Sequence, residues 1–332
     1  MNLPRALRIP LWPLSQLYGL YVRWRAALYA KGWLKAKRLK GKVISVGNLT
    51  VGGTGKTPMV LWLAEKFLAE GKNVAILSRG YRGAHGSSDE IELLKRRLGD
   101  KVLFGVDPDR FACGTRLESA NAIDIFLLDD GFQHLQLARD LDIVMLDGSR
   151  KLKDEWLLPA GPLREPIAVC RRADILVVSR KFERPFIEAR DAHTFAIFYA
   201  QTRLLGFRRI GFSQPEKYLS EIGSGPFLAF CGIGNPDAFF DDLSRWHVPV
   251  VEKKPFSDHH KYSLREVGQL QSRAEACGAA GLVTTEKDAE NLPDTNLRLP
   301  IWIAVIDFVF TTESELLAVI DRKLAGRQGA AA

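Results

Sequence analysis

Along this 332-residue chain, short apolar runs rich in β-branched residues alternate with longer stretches of helical period. Runs over 43–46, 73–78, 101–106, 123–130, 141–146 and 174–178 are too short and too continuous for surface helices. They read as buried strands. Helical patterns fall between them, over 59–69 and about 109–119. Strands alternating with helices predict an α/β fold with a mostly parallel sheet and helices on both faces. From about 180 to 220 the pattern is irregular, and the turn-forming run 223–226 marks a boundary. A second, smaller α/β lobe follows. Its strands are expected over 227–231, 248–251, 281–284 and 301–306, with helices after Pro236, after Ser263, near Lys287 and over 314–325. The expected organisation is an N-terminal segment (1–42), a main domain (43–220), a C-terminal lobe (221–325) and a tail (326–332).

Leu14, Leu17, Tyr21, Trp24 and Leu28 recur at helical spacing, with Gln16, Gly19 and Arg23 on the opposite side and Arg25 at the flank. Charge sharpens this picture. Residues 1–42 hold ten Lys/Arg and no acid, so a chain of net charge +8 has a body near −2. The stretch carries too many charges for a membrane span and lacks a signal-peptide core. An amphipathic helix lying in the surface of an anionic membrane accounts for the pattern; a helix packed on the protein's own core is the plainer alternative. Nucleic acid is not expected as a partner, and no obligate protein partner is indicated. The four cysteines are scattered without a Cys-x-x-Cys pair, which argues against a disulfide framework or a zinc cluster and for a reducing compartment.

The chemistry concentrates where the first strand enters Gly47-Asn48-Leu49-Thr50-Val51-Gly52-Gly53-Thr54-Gly55-Lys56-Thr57. A strand, a glycine-rich turn ending Gly-Lys-Thr and a helix are the layout of a P-loop NTPase-like phosphate site. Backbone N–H groups of Gly52, Gly53, Thr54 and Gly55 face phosphate oxygens, Lys56 reaches the β/γ-phosphates, and the Thr57 hydroxyl holds Mg²⁺. Thr50 stands where the usual pattern has glycine. Asp129 and Asp130 end a buried strand, where a carboxylate can complete the metal site or simply cap a turn. Asp89 is either a helix cap or an acid near the γ-phosphate. His259, in Ser257-Asp258-His259-His260, is either exposed or a proton relay. Arg79, Arg110 and Arg164 lie at strand ends or turns, suited to clamping phosphates.

Taken together, these stretches resemble the tetraacyldisaccharide 4'-kinase family, the lipid A 4'-kinases of Gram-negative bacteria. The matching segments are GNLTVGGTGKTP (47–58), SRGY (78–81), DE (89–90), LDDGFQH (128–134), RD (139–140), LPAGPLRE (158–165), DHH (258–260) and TEKD (285–288). The resemblance implies transfer of the ATP γ-phosphate to the 4'-hydroxyl of an acylated disaccharide 1-phosphate at the cytoplasmic face of the inner membrane. It implies a catalytic Asp89–His259 dyad brought together by closure of a cleft between lobes. Asp129, Asp130 and Glu165 would belong to the Mg²⁺/phosphate region, Arg110 and Arg164 would stabilise transferring charge, and Tyr81 would hold the nucleotide. Two departures stand out. The stretch between SRGY and Asp89 is short, and Ser88 replaces the usual glycine, which leaves Asp100 as a rival to Asp89. The register of Leu93-Leu94, the 102–104 run and Asp109-Arg110 favours Asp89. Two other readings remain open: a P-loop ATPase that phosphorylates nothing, and a nucleotide-gated membrane or nucleic-acid binder whose basic arm is the working part.

Overall fold

The computed structural model describes residues 8–80, 88–149, 152, 155–179, 195–211, 217–223 and 225–326. Helix α1 (Trp12–Ala30) is followed by β1 (Lys42–Asn48), α2 (Lys56–Ala69), β2 (Val74–Ser78) and α3 (Asp89–Leu98). Next come β3 (Val102–Val106), α4 (Arg110–Ala120), β4 (Ile125–Asp129), β5 (Leu141–Asp147), β6 (Ile175–Ser179) and β7 (Ala196–Arg209). The chain continues through β8 (Phe227–Cys231), α5 (Pro236–Arg245), β9 (Val250–Pro255), α6 (Leu264–Ala276), β10 (Gly281–Thr285), the short α7 (Glu286–Ala289), β11 (Ile301–Phe310) and α8 (Glu313–Gly326).

These elements form two compact units that are not contiguous in sequence. Unit 1 holds residues 1–87, 97–201 and 309–332; unit 2 holds 88–96 and 202–308. The strand order in unit 1 is β3-β2-β4-β1-β5-β6-β7, with parallel pairing throughout. Its central strands are buried on both faces, which explains their unbroken apolar runs. Leu39, Val43, Leu77, Phe126 and Leu128 pack together, as do Leu49, Phe132, Val144, Leu163 and Leu176. The Arg-Asp pair at 139–140 is part of this frame. Asp140 accepts the Val43 N–H (2.9 Å) and an Arg38 Nη1–H (2.9 Å), anchoring the start of β1. In unit 2, β11-β10-β8-β9 pair in parallel, and Phe227, Phe239, Phe240, Leu243 and Trp302 form part of their core.

The mostly parallel α/β architecture agrees with the alternation in the sequence. One difference is β7, a 14-residue strand inside the stretch that reads as irregular. Phe198, Ala200 and Thr202 are buried while Gln201 and Arg203 face solvent, so the strand follows a period of two that its arginines obscure. Helix α2 also begins earlier than the apolar period suggests. Gly55, at φ +89°, turns the loop, and Lys56 and Thr57 already belong to the first helical turn.

Helix α1 meets unit 1 through its small and polar side. Ser15 Oγ donates to Leu157 C=O (2.8 Å) and accepts from Ala160 N–H (3.1 Å). A Cβ on Gly19 would fall 2.6 Å from Leu157 Cδ1, so glycine permits the close approach. Trp12, Leu14, Leu17, Leu20, Tyr21 and Trp24 face solvent. Among the described residues no helix is long and apolar enough to cross a membrane.

The turn after β4 packs hard on β1. A Cβ on Gly47 would lie 2.5 Å from Phe132 Cβ and 2.8 Å from its backbone nitrogen. Gly47→Ala should therefore cost about 1–3 kcal/mol and lower Tm by several degrees in a thermal melt. Gly268→Ala, in the exposed interior of α6 with nothing within 4 Å of the new Cβ, should be neutral or gain up to about 1 kcal/mol. Equal Tm values for the two variants would contradict the packing described here.

Candidate active site

Parallel strands deliver their C-terminal ends to one edge of a sheet, and in unit 1 this edge carries the phosphate loop and the paired aspartates. Asn48, the last residue of β1, organises the loop: its Nδ2 donates to Thr54 Oγ1 (3.1 Å) and Gly52 C=O (3.4 Å). Gly52 sits at φ +113°. Ser179, at the end of β6, donates to Thr54 C=O (3.1 Å). Neither Asn48 nor Ser179 stands out in the sequence, although strand-end polar residues are where such partners are found.

Thr50 is accounted for by its neighbours. The 158–165 turn lies beside the loop as a short antiparallel pair, with Thr50 opposite Leu163, Val51 N–H donating to Pro162 C=O (2.9 Å) and Arg164 N–H to Leu49 C=O (2.7 Å). Extended, paired backbone at this position has no need of glycine, and the side chain is buried. The same pairing delivers Arg164 to the site.

Asp130 is the hub. It follows β4 in left-handed backbone, at φ 51°, a conformation costly for a non-glycine residue and concentrated at functional turns. Arg164 Nη1 donates to its Oδ2 (2.6 Å), and Lys56 Nζ stands 3.6 Å from its Oδ1. Burial pushes the Asp130 carboxyl up, but Lys56, Arg164 and Arg110 outweigh it and hold the group down to about 2. Arg110 is itself buried. Its guanidinium donates to the backbone carbonyls of Asp129 (2.9 Å) and Asp130 (3.2 Å), fixing the turn. The Asp129 side chain is also buried. His134, later in the same turn, is pushed down to about 4 by burial and by Arg110, Arg139 and Arg25, so it is neutral near pH 7.

Glu165 has an arginine partner of its own. It pairs with Arg172 (3.0 Å), whose guanidinium lies over the Phe132 ring. The all-oxygen donors Thr57, Asp129 and Asp130 suit a hard divalent cation such as Mg²⁺. Tyr81 lies outside the described residues.

The second cluster belongs to unit 2. Asp89 is the first residue of α3, and Ser88 rather than Asp89 takes the capping contact with Ile91 N–H (3.4 Å). Although 170 residues apart, both Asp89 carboxylate oxygens lie 3.0 Å from His259 Nδ1. The expectation that a closing cleft brings this pair together is corrected: the first two turns of α3 are part of unit 2, so the contact is internal to it. Asp100, the rival carboxylate, is on the next 3-10 turn and exposed. His259 also has left-handed backbone, at φ 58°. Its hydrogen bond to Asp89 raises it above the ordinary imidazole value, against burial and the Lys287 charge. Burial raises Asp89, but His259, Glu90 and Lys287 together leave it well below the usual carboxylate range. Asn291 Nδ2 donates to Asp89 Oδ2 (3.2 Å). Asp89, Glu90 and His259 converge closely enough to suggest a metal site, but Lys287 Nζ, 3.0 Å from Glu90, already supplies the countercharge. Asn291 and Lys287 carry no signal that the apolar pattern reveals.

Known proteins resemble this chain over most of its length. A family model described as tetraacyldisaccharide-1-P 4'-kinase matches residues 7–325. The tetraacyldisaccharide 4'-kinase of Geobacter metallireducens is 37% identical over 336 residues, covering 94% of this chain and 96% of its own. That of Geobacter sulfurreducens is 38% identical over 337 residues, covering 93% and 92%. The crystal structure of the "apo" form of LpxK from Aquifex aeolicus in complex with ATP matches with a TM-score of 0.75 at 32% identity, over 96% of this chain and 99% of that one. This chain belongs to the tetraacyldisaccharide-1-P 4'-kinase family.

Proposed function

We propose that the protein transfers the γ-phosphate of ATP to the 4'-hydroxyl of a tetraacylated glucosamine disaccharide 1-phosphate, a lipid A precursor. The observation that carries this reading is the 3.0 Å contact between Asp89 and His259. A P-loop ATPase that only hydrolyses ATP has no need of a carboxylate–imidazole pair assembled from positions so far apart. An acceptor hydroxyl does need one, to be oriented and relieved of its proton.

In this mechanism the loop N–H groups, Lys56 and Arg164 bind the polyphosphate and spread the charge of the moving phosphoryl group. Thr57 with Asp129 and Asp130 would hold Mg²⁺, which when bound neutralises phosphate charge. Arg110 keeps the Asp129–Asp130 turn in shape. As the acceptor oxygen forms its bond to phosphorus, the bond to ADP breaks and ADP keeps that electron pair. The hydroxyl proton passes to the Asp89 carboxylate. A carboxylate of depressed pKa is a weak base, which suits a loose transition state in which the hydroxyl becomes acidic only late. His259, donating from Nδ1, orients the carboxylate. Tyr81 is assigned to the nucleotide by family resemblance alone.

A lipid acceptor stays in the bilayer, so the same reading places the enzyme peripherally on an anionic membrane, at the cytoplasmic face of the inner membrane. The outward apolar side of α1 and the basic run that follows it support this placement. Leu17, at 64% exposure, Leu20 at 65% and Trp24 at 59% have no protein to bury against in the described structure. Each apolar side chain of this size contributes about 1.5–3 kcal/mol when removed from water.

Four outcomes are expected. With labelled ATP and an acylated disaccharide 1-phosphate, the wild-type protein should label the acceptor; hydrolysis that ignores the glycolipid would overturn the kinase reading. Asp89→Asn should lower kcat by roughly 10²–10⁴ with ATP affinity little changed, while Lys56→Ala should weaken ATP binding and transfer together. Replacing Leu17, Leu20 and Trp24 with serine should release the protein from sedimenting anionic vesicles by a factor of ten or more. Undiminished sedimentation would exclude α1 as the anchor.

A further inference from the structure

The Thr285-Glu286-Lys287-Asp288 run opens the short helix α7, and the structure gives Thr285, Lys287 and Asp288 different tasks. Thr285 caps α7 by accepting the Asp288 N–H (3.1 Å). Asp288, almost fully buried, accepts from Gly232 N–H (2.7 Å), Tyr262 O–H (2.8 Å) and Thr285 Oγ1 (2.6 Å). Gly232 in turn accepts the backbone N–H of His259 (3.0 Å). A Cβ there would lie 2.8 Å from both His260 Cβ and the Ser257 carbonyl, so the turn bearing His259 closes directly on Gly232. Asp288 thus fixes the backbone of the turn, and its neighbour addresses the ring.

Lys287 Nζ stands 3.0 Å from Glu90 Oε1, 3.6 Å from Asp258 Oδ1, 3.8 Å from Asp89 Oδ2 and 3.3 Å from His259 Nε2. An ammonium has three N–H donors and no acceptor. The ring nitrogen it faces must therefore accept, which leaves the proton of a neutral His259 on Nδ1, directed at Asp89. A second proton on Nε2 would put two cations 3.3 Å apart. With Nε2 engaged by Lys287, Asp89 is the member of the pair left to take the proton of an acceptor hydroxyl.

We infer that Lys287 is a positioning residue for phosphoryl transfer, setting the tautomer of His259, opposing protonation at Nε2 and holding the Asp89 carboxylate ionised. This inference rests on the kinase reading for its catalytic meaning. The groups that face the His259–Lys287 pair are Asp89 and Glu90 from α3 and Asp258 from the turn, with Asn291 donating to Asp89. All three carboxylates favour a protonated imidazole, and Lys287 is the charge that opposes them. Burial pushes Lys287 itself down, but Glu90, Asp89 and Asp258 keep it above the ordinary amine value, so it is charged throughout the working range.

The test uses full-length protein with ¹⁵N-labelled histidine, the His259 signals being identified by their loss in His259→Asn. Above its midpoint the wild-type ring should be the Nδ1–H tautomer. In Lys287→Met the His259 midpoint should rise by about one pH unit. The acid limb of the kcat profile should rise in step, and kcat at pH 7 should fall severalfold, up to about tenfold, with KM for ATP unchanged. Lys287→Arg should restore most of both. Should the methionine variant fail to fold, Lys287→Gln, which keeps a donor without the charge, should show the same upward shift. A His259 midpoint that does not move in a folded variant, or a kcat that is unaffected, overturns the assignment. A wild-type protein that labels no glycolipid would overturn the kinase reading instead, and the titration would still decide whether Lys287 controls the ring.

Discussion

Lys56 on the first turn of α2 and Arg164 in the 158–165 turn are cations held at one phosphate loop, and Asp130 is what keeps them there, 3.6 Å from one and 2.6 Å from the other. Without that carboxylate the two charges repel, and nothing else described fixes the Arg164 head group. Holding Asp130 in place has its own cost, a left-handed backbone at a residue with a Cβ. The surroundings meet that cost by over-determining the turn. Arg110 binds two successive carbonyls, Gly131 N–H donates to Val46 C=O (3.1 Å), and Phe132 wedges against Gly47. The parallel register that sets Val46 beside Asp129 is the origin of all three. The phosphate site is therefore a consequence of how β1 and β4 align.

The carboxylate–imidazole pair repeats this logic with different parts. His259 also sits in left-handed backbone, and its turn too is held by a buried charged side chain acting on the main chain, there Arg110 and here Asp288 through Gly232. In both places a strained residue presents its side chain in one direction because hydrogen bonds to the main chain leave it no other. The charges differ in sense. Around Asp130 an anion is surrounded by cations; around Lys287 a cation is surrounded by anions. Each arrangement keeps the minority charge ionised while burial works against it.

Much of this was legible in the chain. The unbroken apolar runs announce strands buried on both faces, and Gly-Lys-Thr after the first of them announces a phosphate loop. Paired acids at the end of β4 are recognisable because strand ends are where a parallel sheet places its chemistry. What was not legible is equally physical. Strand β7 hides because its solvent side carries Gln201 and Arg203, so alternation is broken by residues that look like a loop. The placement of Asp89 and Lys287 together depends on α3 joining a unit otherwise built from residues 202–308, and no local pattern encodes a contact across that separation. That Arg172, seven residues on, pairs with Glu165 has no local signal either. Thr50 looks like a defect in the loop until its pairing with Leu163 is known.

Helix α1 shows why periodicity alone misjudges an amphipathic segment. Its apolar residues define a side, and the usual inference would bury that side against the protein. The structure instead seats Ser15 and Gly19 on the body and turns the aromatic and leucine side outward. Small residues allow the closer approach, and the hydroxyls supply specific bonds: Ser15 to Leu157 C=O, and Tyr18 O–H to Arg164 C=O at 2.9 Å. Arg25 Nη1 adds a bond to Gln133 C=O at 3.1 Å, and Gln133 Nε2 donates to Asn48 C=O at 2.9 Å. The backbone that carries Arg164 and the loop-organising Asn48 is thus tied to the helix within one or two hydrogen bonds. A helix joined so closely to the phosphate loop cannot drift relative to it without breaking those bonds. Whatever the outward apolar side rests on is thereby held at a fixed height from the phosphate loop.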